Sequence, residues 1–517
     1  MLVIIGDRSD WSATTGIGGR ATLDGLLRAT AARCPDAIAL SDPPNRESFT
    51  DGGPRQLTYA QADRMVSAIA GRLRRIGLPT DSVVGLQMAN TVDGVLTLLG
   101  VLRAGLIAMP LPLLWRRADA VSALSRVGVH ALVVSGRVGA VDHFDLAMRV
   151  AAEIFAVRHV CGFGNNAPDG VILLDDLFTT DQLDPVPSRE RAGEPGAGAP
   201  GAGAPGAGEP AAGEPGAHLA LITWDVSADG LVPVARSHAE LIAGGVAVLL
   251  EGKFKPDPVI LSTLMMSSFA GIAVAIVPWL LVGGTLVLHQ PFDPATFAAQ
   301  CRKFRCDTIL VPGPLLAALA EAGHLSEQND IKRVIGLWRT PERLPRAPVW
   351  PRSDAALTDV HVFGEIGLIA ARREPNGQPA ALPIGTLFAP RGAERGFTVA
   401  EIMQTTKGTV ALRGPMVPQC VFPPGAERTE LPHLKIAPTG FVDTDYPCQV
   451  DRDTNAMTVS GSPSGIVGVG GYRFVLRHMQ DLVGLVENDG TLVALPDALA
   501  GQRLAGIAGD RWSIRDG

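Results

Sequence analysis

LALITWDVSADGLVPVARSH, residues 219–238, is the stretch on which the reading of this chain turns. Residues 219–224 are apolar and read as a buried strand, 225–230 as a loop of small and acidic residues, and the remainder as the start of a helix. A strand, a loop with backbone N–H groups to spare and a helix N-terminus make a common phosphate-holding device. A candidate anion site therefore lies near the middle of the sequence.

Immediately upstream, residues 191–217 read RAGEPGAGAPGAGAPGAGEPAAGEPGA. Without aromatic or branched side chains this stretch cannot build a core, and it is expected to be a disordered linker or surface loop. Farther upstream, apolar residues at helical spacing fill 21–34 and stop before Pro35, and 37–40 is a short strand. Residues 56–78 give a strand end, a Thr/Tyr turn and an amphipathic helix with Met65, Ile69, Leu73 and Ile76 on one face. A strand at 81–88, a helix at 92–104 closed by Gly105 and a strand at 106–112 come next.

Downstream lie a helix at 239–250, a strand at 259–266, an apolar helix at 269–281 and, within 292–323, a helix, a strand, a Pro-Gly turn and a helix. This alternation predicts an α/β fold with parallel strands. From Pro383 onward the elements shorten to strands alone, which suits a small β-rich subdomain.

A chain of 517 residues is too long for one core and suggests two or three folding units. A net charge of −7, with no basic run carrying interleaved aromatics, argues against a nucleic-acid partner. The six cysteines, at 34, 161, 301, 306, 420 and 448, lack a zinc spacing and read as reduced structural thiols of a cytoplasmic protein. The N-terminal MLVIIGDRSDW is too short in its apolar run for a signal peptide. Residues 269–288 hold no charge over a length that meets the test for a membrane span. Pro278 and Gly283–Gly284 interrupt them, so a buried helix, a glycine turn and a core strand are expected instead, with no membrane span.

Four segments carry a family resemblance: LTYAQADRMVSAIAGRLRRIGLPTDSVV (57–84), RAGLIAMPLP (103–112), FDPATFAAQCRKFRCDTILVPGPLLAAL (292–319) and GTVALRGPMV (408–417). In this order they resemble the adenylate-forming superfamily of acyl-CoA synthetases, peptide-synthetase adenylation domains and luciferases, along nearly the whole chain. The resemblance implies a large N-terminal domain of layered α/β subdomains (1–190 and 218–380, joined by 191–217) plus a β-rich subdomain (381–460). A shortened C-terminal domain, 461–517, would complete the chain as a lid remnant. It also implies activation of a carboxylic acid as an acyl adenylate, with ATP and Mg²⁺, and coenzyme A, a carrier protein or an amine as acceptor.

The family's site motifs are altered here. The phosphate loop corresponds to DVSADGLVPVARSH: Ser227, Asp229 and Gly230 are its candidate nucleotide contacts, Asp225 and Asp229 replace neutral residues, and the loop lysine is missing. A carboxylate about 4 Å from a phosphate costs on the order of 1 kcal/mol per charge pair even in water. Either a metal ion held by Asp225, Asp229 and Glu365 offsets this, or the loop no longer takes a triphosphate.

Arg236 is the nearest cation and, with Glu365, a catalytic candidate. LMMSSFAG (264–271) replaces a histidine-bearing segment, leaving Met265, Met266, Phe269 and Gly271 as acyl-pocket candidates. In HVFGEIGL (361–368), Phe363 and Gly364 fall where the family binds adenine, while Ile366 and Gly367 stand where it has Thr and the metal-binding Glu. Asp445 in TGFVDTD falls on the family's ribose-binding aspartate. GSPSGIVGVGGYRF (461–474) keeps the hinge glycines Gly461, Gly470 and Gly471 but has Ser462 in place of the hinge arginine. No lysine comes after Lys435, so the lid lysine that stabilises adenylation has no counterpart.

Two functions are expected on these grounds: an acyl-CoA-synthetase-like ligase, or a catalytically degraded relative that binds an acyl group, a nucleotide or a partner synthetase.

Overall fold

The computed structural model describes residues 19–178, 215–325, 330–351, 354–391, 396–484, 491–497, 499–508 and 511–513. The N-terminal run read against a signal peptide and residues 191–214 of the expected linker lie outside them. The last linker residues, Pro215–Ala217, form a helical turn, and Gly216 N–H donates to Gly19 O at 2.6 Å.

Two large sheets carry the α/β part. One is ordered Gly230–Ser237, Leu219–Ser227, Ile107–Pro110, Val83–Gln87, Val129–Ser135, His159–Phe163, Val171–Leu173. Its strands run parallel except at the 219–237 pair. The other is ordered Gly367–Arg372, Ala356–Phe363, Arg333–Trp338, Thr308–Pro312, Val259–Ser262, Thr285–Leu288, Ile38–Ser41, Gln56–Thr58. It is parallel in the middle and antiparallel at both edges. A six-stranded antiparallel sheet built from residues 382–459 comes next. Beyond it, Ile466–Val469, Tyr472–Val475, Thr491–Asp497, Gly501–Ala508 and Arg511–Ser513 form a smaller sheet.

The deciding stretch folds differently from the strand–loop–helix expected of it. It is a β-hairpin: Leu219–Ser227 turns through Ala228 and Asp229 and returns as Gly230–Ser237, paired from Ser227↔Gly230 back to Leu219↔Ser237. The helix His238–Glu251 begins only there, fixed by a reciprocal cap in which Ser237 Oγ accepts from Glu240 N–H and the Glu240 carboxylate accepts from Ser237 N–H. Two local signals favour the hairpin. Asp229–Gly230 is a turn dipeptide, and Leu231, Val232 and Val234 are β-formers.

The apolar 269–288 segment ends as expected in a glycine turn and a core strand. Its helical part widens to a π turn at Ile272–Ile276, just ahead of Pro278, which lacks the N–H that would bond the Val274 carbonyl. No helix among the described residues is long and apolar enough to cross a membrane. Instead Phe269–Val282 packs on His238–Glu251 at very short range. A Cβ at Gly245 would run into Val277, so the glycine is what lets the two backbones approach. Trp279, fully buried, stacks on Tyr59 with ring centroids 6.0 Å apart. One apolar cluster runs from Leu23 through this helix pair to Val459 and ties both large sheets to the β-rich part.

Candidate functional site

In parallel sheets ligands gather beyond the carboxyl ends of the strands. Here Phe363–Gly364, Trp338–Arg339 and Ser262–Thr263 leave their strands on that edge of the second sheet. Asp225, on the outgoing strand of the 219–237 hairpin, meets them from the first sheet.

Asp225 joins the two sheets. Its Oδ2 accepts the Glu365 N–H at 3.0 Å, and its Oδ1 accepts the Val226 N–H at 2.7 Å and is ion-paired with Arg473 Nη1. Gly364 makes this possible. Its φ is +56°, and a Cβ there would press on both Asp225 and Arg473. Arg473 comes from Tyr472–Val475, so the C-terminal sheet reaches into the site. Its guanidinium carbon lies 5.6 Å from the Tyr446 ring centroid. Burial lowers the Arg473 pKa, and Asp225, Tyr446, Glu365 and Asp445 together more than offset this, leaving it above the usual arginine value.

Below this pair, Arg236 is 1% exposed. It donates to the carbonyls of Glu365 and Ile366, and its guanidinium carbon is 3.9 Å from the Phe269 ring centroid. Burial pushes its pKa down to about 10, so it remains charged at neutral pH. The Glu365 carboxylate accepts the Phe269 N–H at 2.7 Å and lies 3.9 Å from Arg339, whose other nitrogen donates to Ser268 Oγ. Burial raises the Glu365 pKa against the pull of Arg339 and Arg236.

The remaining expected contacts have partners within the chain. Ser227 Oγ donates to Gly230 O and accepts from Asp229 N–H, closing the turn, while the Asp229 side chain stands in solvent at the tip. Phe363 is fully buried, edge-on to Tyr446 with centroids 5.6 Å apart. Asp445, at φ +58°, holds Lys435 at 2.7 Å on the exposed rim. Of the acyl-pocket candidates, Met266 borders a cavity of about 20 Å³ with Leu86, Met88, Leu98 and Leu111. That volume suits one water. A Cβ at Gly271 would overlap the Met265 carbonyl, so this segment is tightly wound.

The residues do not fit a Mg²⁺ ion. Magnesium needs free carboxylate oxygens in octahedral array, whereas Asp225 uses both of its oxygens on N–H groups and Arg473, Glu365 uses one on the Phe269 N–H with Arg339 3.9 Å from the other, and Asp229 lies apart at the hairpin tip. Among the described residues no group of three or more His, Cys, Asp or Glu could hold a metal. The sequence reading missed Arg339, Arg473 and Tyr446. Arg473 sits two residues after the matched Gly470–Gly471 pair, and Arg339 one residue past an apolar strand, where a lone cation is a usable signal.

The sequence model of the AMP-binding enzyme family matches residues 27–347, more than half of the chain. The chain belongs to the AMP-binding enzyme family. Among its relatives is the salicyl-AMP ligase / salicyl-S-ArCP synthetase of Mycobacterium tuberculosis, 30% identical over 164 residues, which are 31% of this chain and 28% of that protein. Matches to the larger nonribosomal peptide synthetases span 3% or less of their lengths.

Among solved structures, the amide bond synthetase McbA from Marinactinospora thermotolerans superposes with a TM-score of 0.66 at 18% identity, over 96% of this chain and 90% of that one. The ATP bound MatB from Rhodopseudomonas palustris gives 0.59 at 17% identity, over 94% and 88%. At such identities the likeness shows the adenylate-forming fold, which is mixed α/β with a large N-terminal domain.

Proposed function

We propose that this member of the AMP-binding family binds a carboxylic acid, or an acyl adenylate made by a partner synthetase, without itself driving ATP-dependent adenylation. The observation that carries this reading is the Asp225 carboxylate, which takes up the Glu365 N–H and Arg473 and belongs to the segment that corresponds to the family's phosphate loop. A triphosphate entering beside it meets a fixed negative charge, no loop lysine and no seat for magnesium. The acyl part would lie along Met265, Met266, Phe269 and Gly271 once that segment opens. Coenzyme A or a carrier protein would be the next acceptor. Six cysteines with no disulfide among the described residues suit the cytoplasm.

A second reading, a working ligase, is favoured by Asp445. Its side chain is 35% exposed at the rim and exchangeable from Lys435, as a ribose contact would need to be.

Calorimetry with Mg·ATP, and separately with a non-hydrolysable acyl-adenylate mimic, distinguishes the two, together with acid-dependent exchange of pyrophosphate into ATP over a panel of acids. Binding of the mimic without Mg·ATP binding or exchange is the expected result. Exchange above the enzyme-free blank with any acid would overturn the proposal in favour of the ligase.

A further inference from the structure

Asp225 is a carboxylate lodged in a site built for an anion. Two backbone N–H groups, of Val226 and Glu365, and one guanidinium converge on its two oxygens. The glycine at 364 leaves out a side chain that would press on both Asp225 and Arg473. Donors are also in excess. Arg473 Nε is buried without a hydrogen-bond partner, and so are Nε and Nη1 of the fully buried Arg236 beneath it. A carboxylate has two oxygens, whereas a phosphate group offers three or four and would use donors that Asp225 leaves idle.

We propose that this is an oxyanion seat on the nucleotide side of the fold which Asp225 fills from within, and that removing its carboxylate opens the seat to a phosphate group, free or carried by a mononucleotide. The assignment of the cleft to a nucleotide rests on the proposed function, while the anion seat stands on the donors themselves. Asp225 is then a built-in competitor. It keeps Arg473 and the C-terminal sheet docked and excludes phosphate by occupying its donors and by like charge.

The test uses the full chain and its Asp225→Ala variant, titrated by calorimetry with inorganic phosphate and then with AMP, and melted with and without each. The variant should melt lower than the wild type, because Arg473 and the Glu365 N–H lose their partner. Phosphate should raise its melting temperature by mass action. It should bind phosphate at least about tenfold tighter than the wild type does, and adding Arg473→Met should abolish the gain.

Tightening for both phosphate and AMP supports a nucleotide-side seat. Tightening for phosphate alone supports the seat and shows the nucleoside side to be closed. Equal affinity in variant and wild type, or a gain that survives Arg473→Met, overturns the proposal. Asp225→Ser, whose hydroxyl still accepts from Glu365 N–H, makes the same comparison should the alanine variant fail to fold. Pyrophosphate exchange by the wild-type chain would sink the functional reading and leave the seat standing. Unchanged phosphate affinity would do the reverse.

Discussion

Both oxygens of the Asp445 carboxylate accept hydrogen bonds from the Lys435 ammonium, at 3.0 and 2.7 Å. The two residues are ten apart in sequence, and both side chains are more than a third exposed. An ion pair this open contributes on the order of 0–1 kcal/mol to stability, so it guards the carboxylate rather than the fold. Lys435→Met should leave the unfolding midpoint nearly unchanged and strengthen binding of the acyl-adenylate mimic by releasing Asp445 to the ribose. Asp445→Ala should weaken that binding about tenfold or more. Calorimetry on the two variants checks both directions, and an unchanged affinity in Asp445→Ala would remove this residue from the site.

Gly364 and Gly408 separate a backbone cost from a packing cost. Both have positive φ, +56° and +77°, but a Cβ at Gly408 meets nothing within 4 Å whereas one at Gly364 strikes Asp225 and Arg473. Gly408→Ala should lose about 1 kcal/mol for the left-handed conformation alone. Gly364→Ala should lose about 2–4 kcal/mol, since it also forces the buried ion pair apart. Urea unfolding of both variants gives the difference. Equal losses would mean that the Asp225–Arg473 contact is not held by the open space at Gly364.

In the sequence Arg236 stands as the nearest substitute for the missing loop lysine, and its burial gives it a different task. It ties the hairpin to the carbonyls of Glu365 and Ile366 and covers the Phe269 ring. Arg236→Lys keeps the charge but loses the planar fork that reaches two carbonyls while stacking on a ring. A loss of about 2–4 kcal/mol in urea unfolding, with an unchanged denaturant slope, is the expected outcome. A variant as stable as the wild type would show that the carbonyls find water instead.

Legibility in the sequence tracks the range of the interactions. The helix at Tyr59–Arg75 is readable because its apolar spacing and its Thr58–Gln61 cap are local. The glycine turn after the apolar segment is readable for the same reason. The hairpin is not, because the position of residues 225–230 in the family pattern points to a phosphate loop and outweighs the Asp229–Gly230 turn signal. The site is legible one residue at a time: Asp225, Arg236, Gly364 and Glu365 each stand out in the sequence. That they bond to one another, and that Arg473 joins from 248 positions away, depends on two sheets and a C-terminal hairpin meeting, which no local pattern encodes.

His238 makes stability depend on pH. It stands at the first position of the His238–Glu251 helix, buried, and its Nδ1 accepts the Leu23 N–H at 3.3 Å, a bond that requires the nitrogen to be unprotonated. Burial, then His218, push its pKa down to about 4, against a weaker opposing pull from Asp24. The unfolded chain, titrating near 6.5, therefore binds more protons than the folded one between those two values. The contribution of His238 is complete above about pH 6.5 and is lost as the pH falls toward about 4, with a limiting slope of about 1.4 kcal/mol per pH unit.

His361, buried and pushed down to about 3, acts in the same direction. Urea midpoints at about pH 7.5 and about pH 5.0 should differ, the acid one being lower for the wild type and less so for His238→Gln, whose amide oxygen can still accept from Leu23 without taking up a proton. Parallel losses in the two proteins would assign the acid sensitivity to other groups.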